Sequence, residues 1–309
     1  MKHLTVVSSC YNEEGNVREI YERVKKTIDS LGEYTFDYIF LDNRSTDGTR
    51  EVLRKMAAEH KNVKVIFNTR DFGQLRSPVY GVLQAQGDAV ILLVSDLQEP
   101  PELIADFVKK WEEGYKVVIG VKSRSEESGI ILLLRKLYYN LVAFMSEVDL
   151  RRNFTGFGLY DREVIKILRK IDDPYPYFRG LICELGFERA EVEYRQRDRK
   201  WGFTKNNLYT LYDYAMLGIT NYSKVPLRIA TMMGFSLALV SLLVAFFYLV
   251  YKLFYWEQFS LGLAPVVIGL FFFFSIQLFF LGILGEYIGS IQTQVLKRPM
   301  VIEKERINF

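Results

Sequence analysis

The sequence predicts an α/β fold: a parallel sheet with helices on both faces, followed by two membrane-spanning helices. Three observations carry this. Short apolar runs of strand length alternate with helical stretches through the first half of the chain. One run, Ala89–Val94, is apolar throughout, the pattern of a strand buried on both faces, and it stops at Ser95-Asp96. Late in the chain, Ile229–Tyr251 and Gln258–Gly285 carry no charge over 23 and 28 residues, more than the roughly 20 that cross a bilayer.

The elements follow in order. Leu4–Cys10 is a strand, ending in the turn Tyr11-Asn12-Glu13-Glu14-Gly15, and Val17–Leu31 has helical spacing. Phe36–Leu41 is a second strand, followed by Asp42-Asn43-Arg44-Ser45-Thr46-Asp47-Gly48, where Thr46 or Asp47 caps a helix that runs to about His60. Val63–Phe67 is a strand and Leu75–Gln86 a helix ended by Gly87-Asp88. After Ala89–Val94, Pro100 and Pro101 suit the first turn of a helix reaching Glu113, and Lys116–Val121 is a fifth strand. The strand ends carry Asn/Glu, Asp and Asp-x-Gln groups, and open α/β sheets bring such ends to one ligand-binding rim. Asp96 and Gln98 are hard oxygen donors two residues apart, suited to Mg2+ or Mn2+ with a diphosphate completing the shell. The same residues also suit an ordinary helix cap and a surface Gln.

Composition narrows the class. Half of the 309 residues are hydrophobic, so a core is easily built, and a net charge of +3 gives no reason to expect nucleic acid. Cys10 and Cys183 are far apart with no metal-ligand spacing, which fits inert thiols in a reduced compartment. Residues 1–20 contain Glu13, Glu14 and Glu19 and no long apolar core, unlike a signal peptide. Lys224 and Arg228 precede the first apolar stretch and Lys297 and Arg298 follow the second, which places both ends in the cytoplasm with an outer loop near Trp256. The N-glycan patterns at Asn43, Asn153 and Asn221 are then chance matches.

Between these halves the chain changes character. Ile130–Ser146 is apolar except for Arg135, Lys136 and Asn140, too short to span, and reads as an interfacial rather than a core helix. Asn206–Ser223 is similar. The polar stretch Val192–Lys205 holds Arg195, Arg197, Arg199, Lys200 and Lys205; five cations beside a membrane-facing helix favour phosphate contacts over a solvated loop.

Taken together, the motifs resemble one family: membrane-anchored inverting glycosyltransferases of the dolichol-phosphate mannose synthase type, and within it the bacterial polyisoprenyl-phosphate glycosyltransferases. Tyr11-Asn12-Glu13-Glu14, Asp42 with Ser45-Thr46-Asp47-Gly48-Thr49, Asp96-Leu97-Gln98 with Pro100-Pro101-Glu102, and Arg199, Gly202, Thr204 and Lys205 match its motifs in order. Leu284–Gly289 and Arg298-Pro299 match the end of its second membrane helix. The resemblance covers essentially the whole chain.

It implies a GT-A (Rossmann-like) catalytic domain with interfacial helices and two C-terminal transmembrane helices. The implied divisions are 1–127 for the nucleotide-sugar core, 128–225 for the acceptor side, 226–292 for the anchor and 293–309 for a cytoplasmic tail. The implied reaction is that of a hexosyltransferase in cell-envelope glycan synthesis. It moves a sugar, with inversion, from a UDP- or GDP-linked donor to a polyprenyl phosphate at the cytoplasmic face of the inner membrane. The implied nucleotide contacts are Ser9, Tyr11, Glu13, Asp42, Ser95 and Asp96. Asp96 and Gln98 would hold Mg2+ or Mn2+, with Arg199 and Lys205 on the diphosphate. Lys122 aligns with a phosphate-binding cation of the family, and Arg124 and Arg135 are neighbouring candidates. A homotetramer is implied, and Gly282, Gly285 and Gly289 permit close helix approach.

The chain departs from the family where Val94 stands for an Asp, Asp42-Asn43-Arg44-Ser45 for D-D-G-S, Ser9 for a Pro, and Gly156-Phe157-Gly158 for D-F-R. Val94 and Gly156 would suit a scaffold that has lost the chemistry; Asp96, Gln98, Arg199 and Lys205 argue for an enzyme. A processive polysaccharide synthase would need an unbroken Q-x-x-R-W, and Lys200 interrupts it before Trp201.

Overall fold

The computed structural model describes residues 1–123, 153–197, 208–255 and 263–309. The strands and helices of the first half form where the apolar spacing predicts: β1 (Lys2–Cys10), α1 (Val17–Asp29), β2 (Tyr34–Asp42), α2 (Thr49–Glu59), β3 (Val63–Asn68), α3 (Gly73–Gln84), β4 (Ala89–Leu92), α4 (Ile104–Glu112) and β5 (Val117–Lys122). Pro101 opens a 3-10 turn, Pro101–Leu103, ahead of α4. Asp47 accepts the Thr49 N–H at 3.1 Å, so it satisfies one of the first free donors of α2.

Alternation along the strands builds two cores. Leu4, Val6, Tyr38 and Phe40 face the layer of α1, α2 and α4. Val7, Ile39 and Leu41 face the opposite layer, which contains α3. In α1, Val17, Ile20, Tyr21, Val24 and Ile28 are buried along one stripe, each worth about 1.5–3 kcal/mol on full burial.

The expected wholly parallel sheet is in fact mixed. Eight strands run in the order β7-β5-β6-β4-β1-β2-β3-β8. The first four strands pair in parallel. A strand absent from the expected series, β6 (Phe154–Asp161), inserts antiparallel between β4 and β5. It was hidden by its glycines. Gly156 has a φ of +104°, beside a register shift between Ile119 and Val121. A Cβ on Gly158 would lie 2.4 Å from the Val118 carbonyl oxygen. The G-F-G departure is therefore a structural requirement of this sheet. After β6 come α5 (Arg162–Leu168) and α6 (Phe178–Glu184), which fill the second core, and β7 (Arg189–Tyr194), parallel to β5. The start of the expected polar stretch, Val192–Tyr194, is thus strand. The sheet runs across the boundary expected at residue 127.

The expected interfacial helix at 130–146 lies outside the described residues. Within the other stretch, 206–223, a helix forms as α7 (Leu208–Tyr222). Two helices follow, α8 (Val225–Phe254) and α9 (Leu263–Leu296). Both are long and apolar enough to cross a membrane, and none of their apolar windows is buried. The end of α9 is tied to the globular part: Tyr287 Oη donates to the Ser223 carbonyl at 2.6 Å, Gln294 Nε2 to Asp173 at 2.8 Å, and Lys297 pairs with Asp172 at 2.7 Å.

The chain ends as part of the sheet. β8 (Glu303–Ile307) pairs antiparallel with β3, and Asn308 Nδ2 donates to the carbonyls of Ala57 and Val63 at 2.7 and 2.8 Å. The stretch 293–309, expected as a cytoplasmic tail, holds the last turn of α9 and this charged edge strand, a composition that discourages further strand addition.

Candidate active site

β1, β2 and β4 are parallel and in close register, with Cys10 opposite Asp42 and Val7 opposite Leu92. Their C-terminal ends therefore share one rim, where three loops meet. The first two are stitched together. Asn12 N–H donates to Ser45 Oγ at 2.9 Å, Thr46 N–H to Asn12 Oδ1 at 2.8 Å, and Glu13 N–H to Thr49 Oγ1 at 2.9 Å. Gly48 N–H donates to Glu14 at 3.0 Å, and the Glu14 carboxylate occupies the space a Cβ at Gly48 would need. Asn12 and Arg44 hold left-handed φ values of 58° and 62°, which turn each loop sharply off its strand.

Asp42 is fully buried. Its carboxylate accepts the Ser45 N–H at 3.1 Å and faces Arg50 at 3.4 Å. Burial raises its pKa, while Ser45 and Arg50 oppose the rise. Glu13 is buried and accepts from Asn16 Nδ2 at 2.5 Å. Cys10 sits behind them, its thiol pushed well up by burial and then by Asp42, so it is no nucleophile. Asn43, one of the glycan-pattern residues, is buried and accepts from Asn68 at 2.8 Å.

The third loop carries Asp96. Ser95 Oγ donates to the Ser9 carbonyl at 2.8 Å, fixing this loop against the first. Asp96 accepts the Gln98 N–H at 3.1 Å. Between them Leu97 has a φ of 60° with its side chain 2 % exposed in the first core. A bulky residue held left-handed costs about 1–3 kcal/mol, and the buried side chain holds it there. Gln98 is bracketed by the chain after β7: Arg197 N–H donates to its carbonyl at 3.0 Å, and Gln98 Nε2 donates to the Arg197 carbonyl at 3.3 Å. Glu102 receives Arg23 at 2.8 Å and lies 3.7 Å from Arg197.

These contacts test the metal expectation. The Gln98 amide nitrogen is committed to a carbonyl, so the amide oxygen is the end that can meet a cation. With the Asp96 carboxylate it forms a hard donor pair. Among the described residues no group of three or more His, Cys, Asp or Glu could hold an ion, and two oxygen donors leave most of a divalent cation's shell to other ligands. Val94, in place of the family's Asp, is 42 % exposed on this rim.

The rim therefore gathers Ser9, Tyr11, Glu13, Asp42, Ser95, Asp96 and Gln98. Lys122 closes β5 on the same side of the sheet, two strands from β4. Arg124, Arg135, Arg199 and Lys205 lie outside the described residues. One residue that the motifs passed over is Glu99. It is buried, accepts the Val94 N–H at 3.0 Å and the Thr155 hydroxyl at 2.8 Å, and its pKa is pushed up to about 7, chiefly by burial. Its signal was a third acidic side chain inside the Asp96–Glu102 stretch.

Residues 5–168 match the family described as Glycosyl transferase family 2. The chain is 33 % identical to the Uncharacterized glycosyltransferase YkcC of Bacillus subtilis, over 96 % of this chain and 92 % of that one. It is 29 % identical to the SfII prophage-derived bactoprenol glucosyl transferase of Shigella flexneri, over 98 % and 97 %. A solved glucosyl-3-phosphoglycerate synthase from Mycobacterium tuberculosis, in complex with Mn2+, UDP and phosphoglyceric acid, superposes with a TM-score of 0.49 at 19 % identity, over 71 % and 76 % of the two chains.

Proposed function

The chain belongs to glycosyl transferase family 2, and from that premise we propose that it transfers a sugar, with inversion, from a nucleotide-sugar to the phosphate of a membrane polyprenol. The observation that carries this reading is the union of one loop rim with two helices of spanning length in a single chain. The near full-length similarity to a bactoprenol glucosyl transferase supports the lipid acceptor.

Tyr11, Glu13 and Asp42 take the base and ribose of a UDP- or GDP-linked donor, the stitched loops holding them in place before it binds. Asp96 and Gln98 hold Mg2+ or Mn2+, which when bound supplies positive charge to the leaving diphosphate. Arg199 and Lys205 would add cations to the same group, and Lys122, Arg124 and Arg135 would supply positive charge to the acceptor phosphate. A phosphate monoester is already anionic at neutral pH, so its oxygen needs no general base. Both histidines lie off the rim, His3 at the start of β1 and His60 after α2.

The pairing of β8 with β3 supports a helical hairpin whose two ends lie on one side of the membrane. Lys224, Arg228, Lys297 and Arg298 put that side in the cytoplasm, giving a multi-pass inner-membrane protein with a cytoplasmic catalytic domain.

The experiment is a screen of UDP- and GDP-sugars against a polyprenyl phosphate, with purified protein in detergent and Mg2+ or Mn2+. The expected product is a polyprenyl-phosphate-sugar. Absence of transfer from every donor would sink the reading. Val94 favours one alternative, a scaffold without chemistry, which should also fail to bind any nucleotide-sugar.

A further inference from the structure

The loop that carries Asp96 and Gln98 is closed on its buried side by one side chain. Glu99 follows Gln98 directly and turns back along the loop. Its Oε2 accepts the Val94 N–H at 3.0 Å, just ahead of Ser95. Its Oε1 accepts the Thr155 hydroxyl at 2.8 Å. A single carboxyl group therefore joins the start of the loop, the end of the loop and the opening of β6. Thr155 Oγ1 in turn accepts the Phe157 N–H at 3.4 Å, which ties it to its own strand. Tyr194, the last residue of β7, packs edge-on against Phe157 with ring centroids 5.5 Å apart. Its hydroxyl lies within electrostatic reach of both Glu99 and Asp96.

Stability alone does not account for an acid at this position. Glu99 is 3 % exposed, and burial penalises the charged form of a carboxyl, a cost that an apolar side chain of similar size would not carry. The bonds that Glu99 makes fall on the points that set the spacing of Asp96 and Gln98. Leu97, between those two, holds a φ of 60°, a conformation that persists in a bulky residue only when its surroundings over-determine it. Among the described residues no third acid, His or Cys joins Asp96 and Gln98 in a metal-holding group. The distance between the two donor oxygens then depends on how firmly this loop is held. Side chains that orient metal ligands from behind govern metal affinity nearly as strongly as the ligands do.

We propose that Glu99, anchored by Thr155, is a positioning residue that sets the spacing of Asp96 and Gln98 for the divalent cation of the donor complex. It touches neither the cation nor the sugar donor, and no bond to it forms or breaks during transfer. This rests on the reading of Asp96 and Gln98 as the metal pair.

The test follows Mn2+ binding to the full-length protein in detergent at saturating UDP, by electron paramagnetic resonance. The variants are Glu99→Ala, Glu99→Gln and Thr155→Val, and a thermal melt checks each fold. Ile28→Ala is the control, a cavity in the first core at the end of α1 away from the rim. Glu99→Ala should weaken Mn2+ binding about tenfold to a hundredfold, the range for loss of a group that orients a metal ligand. It should raise the Mn2+ concentration for half-maximal transfer by the same factor and leave UDP binding in EDTA unchanged. Glu99→Gln keeps an acceptor for the Val94 N–H and gains an amide that can donate to Thr155 Oγ1, so it should restore most of the affinity. Thr155→Val should shift Mn2+ binding in the same direction as Glu99→Ala; Thr155 is exposed, so this variant folds even where Glu99→Ala does not. Ile28→Ala should lower the melting temperature and leave Mn2+ binding alone. Unaltered Mn2+ affinity in folded Glu99→Ala, or in Thr155→Val, overturns the assignment. So does an equal loss in Ile28→Ala, which would make the effect one of stability, or no restoration by Glu99→Gln, which would make Glu99 a ligand through its charge. A wild-type protein whose Mn2+ binding depends on Glu99 yet which transfers no sugar would refute the transfer reading and leave the positioning role. One that transfers sugar with a divalent requirement unchanged in Glu99→Ala would refute the positioning role alone. A wild-type protein that binds no Mn2+ with UDP present would refute the metal pair and the positioning role together.

Discussion

Glu99 accepts the Thr155 hydroxyl at 2.8 Å, joining the Asp96 loop to the start of β6 through a buried carboxyl. Its pKa of about 7 reflects burial first, opposed by the Val94 N–H and Thr155, with Asp96 adding to the rise. A carboxyl raised in the folded state favours folding while it is protonated. That contribution is complete below about pH 4.5, fades as pH rises towards about 7, and is absent above. Glu99→Gln has no such loss. Its melting midpoint relative to wild type, with EDTA present, should be higher at about pH 8 than at about pH 5, by an amount equivalent to roughly 3 kcal/mol at most. Equal differences at both pH values would show that Glu99 is not titrating in the fold.

Asp96→Asn keeps an acceptor for the Gln98 N–H and removes the charge. It should melt within a few degrees of wild type while divalent-dependent transfer falls by a hundredfold or more, of the order seen when a key charge-stabilising group is lost. Transfer at the wild-type rate would remove Asp96 from the metal site.

Gly158→Ala should be among the most damaging small substitutions in the protein. A Cβ there meets the Val118 carbonyl at 2.4 Å in the middle of the sheet, so the β5–β6 pairing must shift. Expected is a loss of several kcal/mol, near the upper end for single substitutions, seen as failure to purify folded protein. Normal thermal stability would mean that β6 does not lie where the register places it.

Removal of residues 302–309 uncovers the β3 edge and the carbonyls that Asn308 holds. The truncated protein should unfold at lower temperature and aggregate more readily. Arg54→Ala, which breaks only the exposed pair with Glu305, should cost about 1 kcal/mol or less. Comparable losses from both would assign the effect to charge and not to the strand.

The helical hairpin predicts opposite accessibility for two engineered thiols. In intact cells an impermeant thiol reagent should label Ser260→Cys and spare Lys304→Cys, which lies in β8 beside the catalytic domain. The reverse pattern would invert the topology.

The series of strands and helices up to β5, the rim residues Tyr11, Glu13, Asp42, Asp96 and Gln98, and the two apolar helices were legible in the sequence. Each rests on a local property: side-chain periodicity, turn residues at a strand end, or an uncharged run of bilayer length. Only the tertiary structure decided the rest. β6 owes its place between β4 and β5 to glycines that erase the apolar alternation of a strand, and β8 is too charged to read as one. Leu97 is left-handed because its side chain is buried between two groups held at the rim. Glu99 is pushed up to about 7 chiefly by burial, among neighbours distant in sequence. Each of these depends on which surfaces meet once the chain has folded, and burial and contact across such distances leave no periodic trace in the order of residues.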